Sequence, residues 1–578
     1  MKVTFVQATN RFFADTQMFG VHFMPVWAYT LAAHLRTIPD MEIALFDDRF
    51  DQPDALPESD IYLFTGINQD YDAIVSFEAY LRQRFPKAIA VIGGPICWSY
   101  NMAGKIDSLS MFDHIIIGDG EILVTDLIHS IRSRRVLPKV IESSQRFDPA
   151  QSLPMDRKLL DGTISRYYGA VLEVSRGCPF LCEFCDIRVL PDNNRAHNKP
   201  APLIVEELDH LYDLGVRQCL FACDNFIGNA QWAEEVCDRI IDWKARTGKK
   251  LSLYTWLTIN LARSPGLTKK LRQAGFDMFF IGVESFHQTS LLETAKVQNT
   301  TLDLIASIRK IQSYGFVVVA GLIFGFDTDP ENVADVALKG ILESGLISGD
   351  PSLLTALPGT PLYQRMKLSG RLRDAKLGLG GFKYQTNIRY LKAEHRIRDD
   401  FKTFVKEFND GRYQYGRISS FYRCLESSSY IAPATAGYAD LRKMFKMVFR
   451  SPRHIGLLLL RIGRLIQSPV RDYYILKALA LTLRRSSRQK PLWFYFKFWL
   501  FTWSNSLMKY ANLSDADFDI ESVRGGFDVS TVVPAGYEEE LGEQIPLTKI
   551  RSQRRLTTTV LKNWAASQTN LERSSSAD

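Results

Sequence analysis

Short apolar runs alternate with segments of helical periodicity over the first 145 residues of the chain. Strands are predicted at residues 2–7, 41–46, 61–67, 88–92 and 114–117. Helices are predicted at residues 24–38, 71–85 and 122–132. Strands that alternate with helices in this way are typical of an open parallel sheet covered on both faces. Residues 1–145 are therefore predicted to form a doubly wound α/β domain.

Glycines follow several of these predicted strands. A doubly wound sheet binds its ligands beyond the carboxyl ends of the strands, where glycine permits close backbone approach. Glycines at such positions occur in many domains of this type, so they are only candidates. The candidate binding residues are Gly66, Gly93, Gly94 and Gly118, together with Glu121, which follows the last of these glycines.

A second series of strand and helix patterns occupies residues 160–390. Helix-like segments separate its strands, and Gly215, Gly275 and Gly315 follow three of those segments as expected of helix C-caps. The series is consistent with a partial βα barrel of six strands, whose active site is expected at the carboxyl ends. Its strands are predicted at residues 168–175, 218–224, 251–259, 277–285, 316–325 and 347–357.

Three cysteines follow the first barrel strand at the spacing C-x3-C-x2-C, namely Cys178, Cys182 and Cys185. Gly177 and Pro179 interrupt regular structure there, so the loop can curl and direct three sulfurs towards one centre. Thiolates are the usual ligands of iron–sulfur clusters, which mostly take four, so three would leave one iron open. A zinc site or three buried thiols are the alternatives, although structural zinc usually has four ligands.

The cysteine motif resembles the signature of the radical S-adenosylmethionine (SAM) superfamily. The resemblance implies a [4Fe-4S] cluster held by the three cysteines, with SAM bound to the open iron and cleaved by an electron from the cluster. The aromatic residue before the last cysteine, here Phe184, is implied to lie beside the adenine.

Four later segments resemble the family in the same order along the chain: residues 223–226, 282–285, 321–326 and 357–363. They follow the second, fourth, fifth and sixth predicted barrel strands, and the last has the sequence L-P-G-T-P-L-Y. The SAM contacts that the resemblance implies are Phe184, Asp224, Asn225, Glu284, Ser285, Ile323 and Gly325. Cys219 and Cys223, four residues apart in one predicted strand, are expected to face the same side and to be buried thiols.

A doubly wound domain directly before this motif resembles the cobalamin-binding group of radical SAM enzymes. The resemblance implies a cobalamin held by the glycine turns of residues 1–145. The D-x-H-x-x-G motif that supplies a histidine to cobalt in many cobalamin proteins is absent, so cobalamin is predicted to bind without one. A degenerate domain that only packs against the barrel is the alternative.

The distribution of charge sets the C-terminal third apart. The chain of 578 residues has a net charge of +7, whereas residues 440–510 alone contain fifteen Lys or Arg against two Asp, a net charge of +13. Residues 391–510 are predicted to be a basic helical domain whose interleaved apolar residues suit an anionic membrane surface. The alternative is a helical cap on the barrel with a solvated basic face. Binding of nucleic acid by the basic residues is a less favoured interpretation. The polar residues 511–578 are predicted to be partly disordered.

Eight cysteines in such a length do not form a disulfide framework, and residues 1–6 read as a strand rather than a signal peptide. The expected location is therefore the cytoplasm, with possible attachment to the inner membrane face.

The predicted function is cobalamin-dependent C-methylation of an unactivated carbon on an apolar or lipid-like small molecule. An electron donor such as flavodoxin or ferredoxin is expected. The alternatives are oxidative cyclisation or rearrangement with the same cofactors, and a non-catalytic cobalamin- or lipid-binding membrane module.

Overall fold

A computed structural model describes residues 1–10, 22–190, 192–373, 384–432, 469–485, 513–523 and 555–568, with a few isolated positions between 449 and 532. Two six-stranded parallel sheets dominate this part of the chain, one in each of the two predicted α/β sections. Each sheet is built from buried apolar strands connected by helices, as the sequence patterns predict.

The first sheet has the strand order β2-β1-β3-β4-β5-β6, and all its pairs are parallel. The order reverses at β1, so the carboxyl ends of β1 and β3 border a crevice typical of ligand sites in such sheets. The strands are β1 (Lys2–Gln7), β2 (Glu42–Asp47), β3 (Ile61–Thr65), β4 (Ile89–Gly93), β5 (His114–Ile117) and β6 (Val140–Glu142). The helices are α1 (Val26–Leu35), α2 (Tyr71–Arg84), α3 (Pro95–Met102) and α4 (Gly120–Arg132).

The second sheet runs in sequence order from β7 to β14, apart from a short hairpin of β8 and β9 that stands outside it. Its six strands are parallel, with βα connections throughout, which is the partial (β/α)6 barrel that the sequence predicts. The strands are β7 (Ala170–Glu173), β8 (Ser175–Arg176), β9 (His197–Asn198), β10 (Gln218–Ala222), β11 (Ser252–Trp256), β12 (Phe276–Glu284), β13 (Val317–Phe324) and β14 (Ser348–Leu353).

Helices surround this second sheet. Gly275 closes one of them in the left-handed conformation, where an added Cβ would lie 2.7 Å from the Leu251 carbonyl oxygen, so glycine is required there. The helices are α5 (Arg157–Thr163), α6 (Ala201–Asp213), α7 (Ala230–Thr247), α8 (Pro265–Ala274), α9 (Gln288–Glu293), α10 (Val297–Thr300), α11 (Leu304–Ser313), α12 (Val333–Ser344) and α13 (Pro361–Leu368).

The two sheets share one hydrophobic core rather than being joined by a free linker. Polar contacts reinforce the junction: the Tyr167 hydroxyl donates to Asp47 at 2.8 Å, and Arg166 pairs with Asp51 at 3.0 Å. The relative position of the two carboxyl edges is thus set by packing. The division into independent domains at about residues 145–160 stays a prediction.

The C-terminal section packs helices against the barrel. α14 (Glu394–Asn409) and α15 (Gly411–Cys424) precede α16 (Pro469–Arg485), which packs on α15. The chain then returns, and β16 (Glu521–Ser522) pairs in parallel with β15 (Arg389–Tyr390). Residues 555–568 are helical.

Most of the basic stretch 440–510 lies outside the described residues, as does most of the polar tail beyond residue 523. Among the residues that are described, no helix is both long and apolar enough to cross a membrane.

Candidate functional site

The cysteine loop follows β7 and the short β8 at the carboxyl edge of the barrel. Gly177 begins the loop with φ 90°, and an added Cβ would lie 2.0 Å from the Arg195 carbonyl oxygen, so only glycine fits. The Cys178 amide then donates to the Asn193 carbonyl at 2.9 Å. These contacts fix the entry of the loop.

All three thiols line one cavity of about 550 Å³, here called the cluster cavity. Within the described part of the chain, no three His, Cys, Asp or Glu side chains converge closely enough for a single metal ion. A polynuclear cluster differs, because each thiolate binds a different iron and the sulfurs therefore stand farther apart. Three thiols spread around one cavity fit an iron–sulfur cluster better than zinc.

Buried charges hold the loop from behind. Arg365 on α13 is fully buried and pairs with Glu183 at 2.8 Å, Asp327 at 3.1 Å and Glu293 at 3.2 Å. Arg371 pairs with the same Asp327 at 2.6 Å. Glu183 lies between Cys182 and Phe184, so this network fixes the middle of the cysteine loop to the barrel. The burial and the neighbouring Asp327 raise the pKa of Glu293 to about 7.

The predicted SAM residues divide into two groups. Phe184, Asp224 and Glu284 line the cluster cavity. Asn225 is buried beside it, with its amide nitrogen 3.9 Å from the Cys178 sulfur, and Ser285 accepts a hydrogen bond from the His287 amide.

The other two predicted SAM residues, like Asn225 and Ser285, are not among the side chains that line the cavity. Ile323 is the penultimate residue of β13. Gly325 has φ 99° and packs against the Tyr390 ring, where a Cβ would come within 2.7 Å. Its amide donates to Asp329 at 2.9 Å. SAM-binding roles for the whole set stay predictions.

Asp224 stands at the end of β10 and accepts a hydrogen bond from the Gly177 amide at 2.6 Å. Desolvation raises the pKa of Asp224 to about 6, opposed mainly by that hydrogen bond. Cys219 and Cys223 do not face the same side, contrary to expectation, because β10 ends at Ala222. Cys223 lines the cluster cavity, whereas Cys219 is fully buried in the core and lies near Glu207 of α6.

The sequence did not identify Lys296 and Gln298, which reach the same cavity from the short segment around α10. The Lys296 ammonium lies 2.8 Å from Glu284, and nearby carboxylate and thiol charge raises the pKa of this lysine against its burial. Glu284 itself adopts φ 62°, an uncommon conformation for a non-glycine residue, where the register between β12 and β13 shifts. Such strain is concentrated at functional sites.

Three buried acceptors at this cavity are unpaired among the described residues: Asn225 Oδ1, Thr258 Oγ1 and Gln298 Oε1. Thr258 and Gln298 line the cavity, and Asn225 lies directly behind Cys178. An unpaired buried acceptor is costly, so its presence indicates a donor that is normally bound. SAM offers an ammonium group and ribose hydroxyls, so the residues present fit this cofactor.

A second cavity, of about 520 Å³, lies between the two sheets and is called the glycine cavity here. Gly93, Gly94 and Gly118 line it together with Glu121, whereas Gly66 does not, although Thr65 and Ile67 on either side of it do. No histidine is among the described residues that line the cavity. A broad apolar cavity edged by backbone fits the corrin ring.

The two cavities adjoin at a common wall. Glu173, Arg176, Ile187 and Asp224 line both. Arg176 joins the two sections, because its guanidinium bonds to Glu173 at 2.8 Å and also to Glu121 on α4. Oppositely charged neighbours raise the pKa of Arg176 despite its burial. The cysteine loop and the glycine turns thus face each other across one layer of side chains.

Comparison with known proteins agrees with this geometry. Residues 172–338 match the Radical SAM superfamily. Hopanoid C-2 methylase of Rhodopseudomonas palustris is 33% identical over 293 residues, which cover 49% of this chain and 53% of the relative. An uncharacterised methyltransferase of Synechocystis is 29% identical over 338 residues, covering 58% of this chain and 61% of the relative. The chain thus spans between half and two thirds of these relatives' length.

Two solved structures share the fold at low sequence identity. The cobalamin-dependent SAM radical enzyme OxsB, with aqua-cobalamin bound, has a TM-score of 0.56 at 14% identity and covers 98% of this chain and 84% of its own. The methyltransferase TsrM of Kitasatospora setae has a TM-score of 0.53 at 16% identity and covers 65% of this chain and 77% of its own. Residues 172–338 are therefore a radical SAM domain, in a chain that shares its overall fold with these cobalamin-dependent radical SAM enzymes.

Proposed function

We propose that this chain binds a [4Fe-4S] cluster, SAM and cobalamin and methylates an unactivated carbon of an apolar small molecule. The observation that carries the proposal is the common wall of Glu173, Arg176, Ile187 and Asp224 between the cluster cavity and the glycine cavity. The similarity to a hopanoid C-2 methylase and to an uncharacterised methyltransferase supports methyl transfer.

The bound cofactors supply the reactive chemistry, a radical derived from SAM on one side and a methyl group carried by cobalamin on the other. The protein's own residues hold and separate these groups. Cys178, Cys182 and Cys185 anchor the cluster, and Glu284 with Lys296 presents a fixed charge pair at the same cavity.

The remaining residues orient the cofactor and exclude water. Asn225, Thr258 and Gln298 offer acceptors to the ammonium and hydroxyl groups of SAM. Phe184, Trp256 and Phe280 line the cluster cavity and keep it apolar where a radical must be protected. Arg176, held by carboxylates of both sections, keeps the two cofactor sites at a constant separation.

An apolar substrate is consistent with the rim of the glycine cavity. Ile67 and Met102 line this cavity and are 48% and 42% exposed, unusually open for side chains of their kind. Trp98 and Pro95 lie on the same rim. Exposed apolar side chains around a cavity mark a site for an apolar ligand.

Contact with a membrane would bring such a substrate to the enzyme and is part of the proposal. Within α16, Tyr473, Leu476 and Leu483 are exposed beside basic residues, while the opposite face packs on α15 through Ala478. Full-length protein should sediment with anionic vesicles at low salt and should dissociate as salt rises. Protein that stays in the supernatant at low salt would leave α16 as a cap on the barrel.

The deciding experiment supplies the anaerobically reconstituted protein with cobalamin, a chemical reductant and SAM labelled in its methyl group. A pentacyclic triterpenoid hydrocarbon serves as substrate. The expected product carries one labelled methyl group, with one 5′-deoxyadenosine and one S-adenosylhomocysteine formed per product. Loss of two hydrogens without label would show oxidative cyclisation instead, and absence of 5′-deoxyadenosine would refute radical chemistry.

The Arg176→Lys variant tests the common wall directly, because it keeps a cation beside Glu121 and Glu173 but loses the forked guanidinium that bonds to both. It should load the cluster and cobalamin and still form 5′-deoxyadenosine, but the yield of methylated product per 5′-deoxyadenosine should fall. An unchanged ratio of product to 5′-deoxyadenosine would show that the common wall has no role in methyl transfer. Arg157→Lys is the matched control, since Arg157 pairs with the exposed Glu206 on the surface.

A further inference from the structure

The segment that follows α9 is clamped onto the end of β12. Ala295 has φ 55°, and the chain then enters α10. The Asn299 amide nitrogen donates to the Gly282 and Val283 carbonyls, each at 2.9 Å. With the Lys296–Glu284 ion pair at 2.8 Å, these bonds fix both ends of the four-residue segment 296–299 to one strand end.

Gln298 lies in the middle of this clamped segment and is only 3% exposed. Its amide nitrogen is 3.4 Å from the sulfur of Cys182. A thiolate can only accept hydrogen bonds, so the nitrogen rather than the oxygen of the amide must face it. The carbonyl oxygen is therefore the atom left without a partner among the described residues, in a side chain that lines the cluster cavity.

One side chain thus contacts both a cluster ligand and the space that a cofactor occupies. We propose that Gln298 sets the reduction potential of the cluster through an N–H···S hydrogen bond to Cys182, and that its carbonyl transmits the binding of SAM to that bond. This inference rests on the cluster and SAM of the proposed function. Gln298 is a positioning residue and takes part in no bond-breaking step.

The direction of the effect follows from charge. Hydrogen bonds to the sulfurs of an iron–sulfur cluster stabilise its more negative, reduced state and so raise its potential. A donor that bonds to the Gln298 carbonyl polarises the amide and strengthens the N–H···S bond at its other end. Occupation of the cavity therefore raises the potential further. Asn225 makes the analogous but longer contact, 3.9 Å from Cys178, and has a smaller effect.

The test is a redox titration of the reconstituted full-length protein, followed by electron paramagnetic resonance, with and without SAM. Gln298→Leu should retain iron content and shift the midpoint to a more negative value, and Asn225→Leu should shift it less. The change in midpoint on adding SAM should also be smaller in Gln298→Leu than in the natural protein. Gln273→Leu, an exposed glutamine before the opposite end of β12, should change neither quantity.

Gln298→Glu keeps the shape of the side chain and covers the case in which the leucine variant fails to load iron. A carboxylate cannot replace the donor without a proton, so its midpoint should also be more negative. A midpoint equal to that of the natural protein in either iron-loaded variant refutes the inference. An equal response to SAM refutes the role of the carbonyl. Failure of the natural protein to assemble a [4Fe-4S] cluster would instead refute the proposed function.

Discussion

The cluster cavity and the glycine cavity adjoin, yet they are built by different means. The cluster cavity rests on buried charge, with Arg365, Glu183 and Asp327 behind the cysteine loop and Lys296 paired with Glu284 beside it. The glycine cavity depends on backbone shape, since the turns at the ends of β4 and β5 pack so closely that a Cβ at Gly94 would clash with Thr65 and one at Gly118 with Ser143 and Leu123. One cavity is positioned electrostatically and the other sterically.

This difference determines how each cavity should respond to change. Removal of one member of a buried ionic network leaves its partners charged and unpaired, which destabilises the whole fold. Addition of a methyl group at a glycine turn disturbs only the side chains packed against that turn. Substitutions in the buried ionic network should therefore affect the stability of the whole fold, whereas those at the glycine turns should act mainly on the glycine cavity.

The largest expected effect is the loss of the cluster itself. Cys182→Ala should abolish the [4Fe-4S] spectrum and 5′-deoxyadenosine formation, because each thiolate is one of only three protein anchors. Cobalamin binding should persist, since no cysteine is among the described residues that line the glycine cavity.

Cys97→Ala is the control for this substitution, because Cys97 is buried in the core of the first sheet. It should keep both the cluster and activity. A Cys182→Ala protein that still forms 5′-deoxyadenosine would invalidate the cluster assignment.

The buried network should give the next largest effect. Arg365→Met leaves Glu183, Glu293 and Asp327 without their common cation, and we expect a loss of roughly 3–5 kcal/mol in the free energy of unfolding. Denaturant titration measures it. Arg157→Met removes an exposed ion pair and should cost less than about 1 kcal/mol. Similar losses in the two variants would mean that burial does not distinguish these pairs.

A glycine substitution tests the steric side of the comparison. In Gly94→Ala the new Cβ would meet the Thr65 hydroxyl at 2.1 Å, at a residue with φ 84°. The overpacking should cost about 1–3 kcal/mol in the free energy of unfolding. Because Thr65 lines the glycine cavity, its displacement should also weaken cobalamin binding, with iron content unchanged. Equilibrium binding followed by absorbance gives the affinity.

Gly104→Ala is matched to it, because Gly104 has φ 67° and nothing within 4 Å of its added Cβ. Gly104→Ala introduces the strain of a positive φ without a steric clash, so this variant should bind cobalamin as the natural protein does. Equal weakening in both variants would attribute the effect to strain and not to the shape of the cavity.

The smallest expected effect concerns pH. Desolvation raises the pKa of Asp329 from 3.8 to about 6, against hydrogen bonds from Ser290, Gly325 and Phe326. The folded state therefore holds this proton more tightly than the unfolded state, so the contribution of Asp329 to stability falls as pH rises from about 4 to 6 and is constant above that.

Asp329→Asn should remove this dependence while keeping an acceptor for the two amides. The difference in unfolding free energy between variant and natural protein should change by on the order of 2 kcal/mol across the window. A difference independent of pH would show that Asp329 does not titrate there. His287→Gln, a change on the same hydrogen-bonded chain, should leave the dependence in place.

Local sequence patterns predicted the sheets well, because apolar runs bounded by Gly and Pro mark strands that are buried in parallel sheets. They missed α3 and α13, which begin at Pro95 and Pro361 within glycine–proline sequences that read as turns. Proline is favoured in the first helical turn, so the same residues permit either outcome.

The candidate site was predictable only where spacing encodes chemistry. The cysteine motif placed three thiols on one cavity, and the strand ends placed Asp224 and Glu284 there. Gln298 lies 116 residues from the cysteine that it contacts, in a four-residue helix with no periodic pattern. Contacts between residues so far apart in the sequence depend on the packed fold, and no local sequence pattern predicts them.

The return of the chain from the C-terminal section has a consequence for how the protein is made. β15 has its partner in β16, 132 residues later, and the Arg389 and Arg373 side chains pair with Glu521 and Asp519. On the ribosome, β15 is synthesised with the barrel, but it cannot pair with β16 until residue 523 has left the exit tunnel. Until then β15 exposes one strand edge, and an exposed edge is prone to pair with other chains.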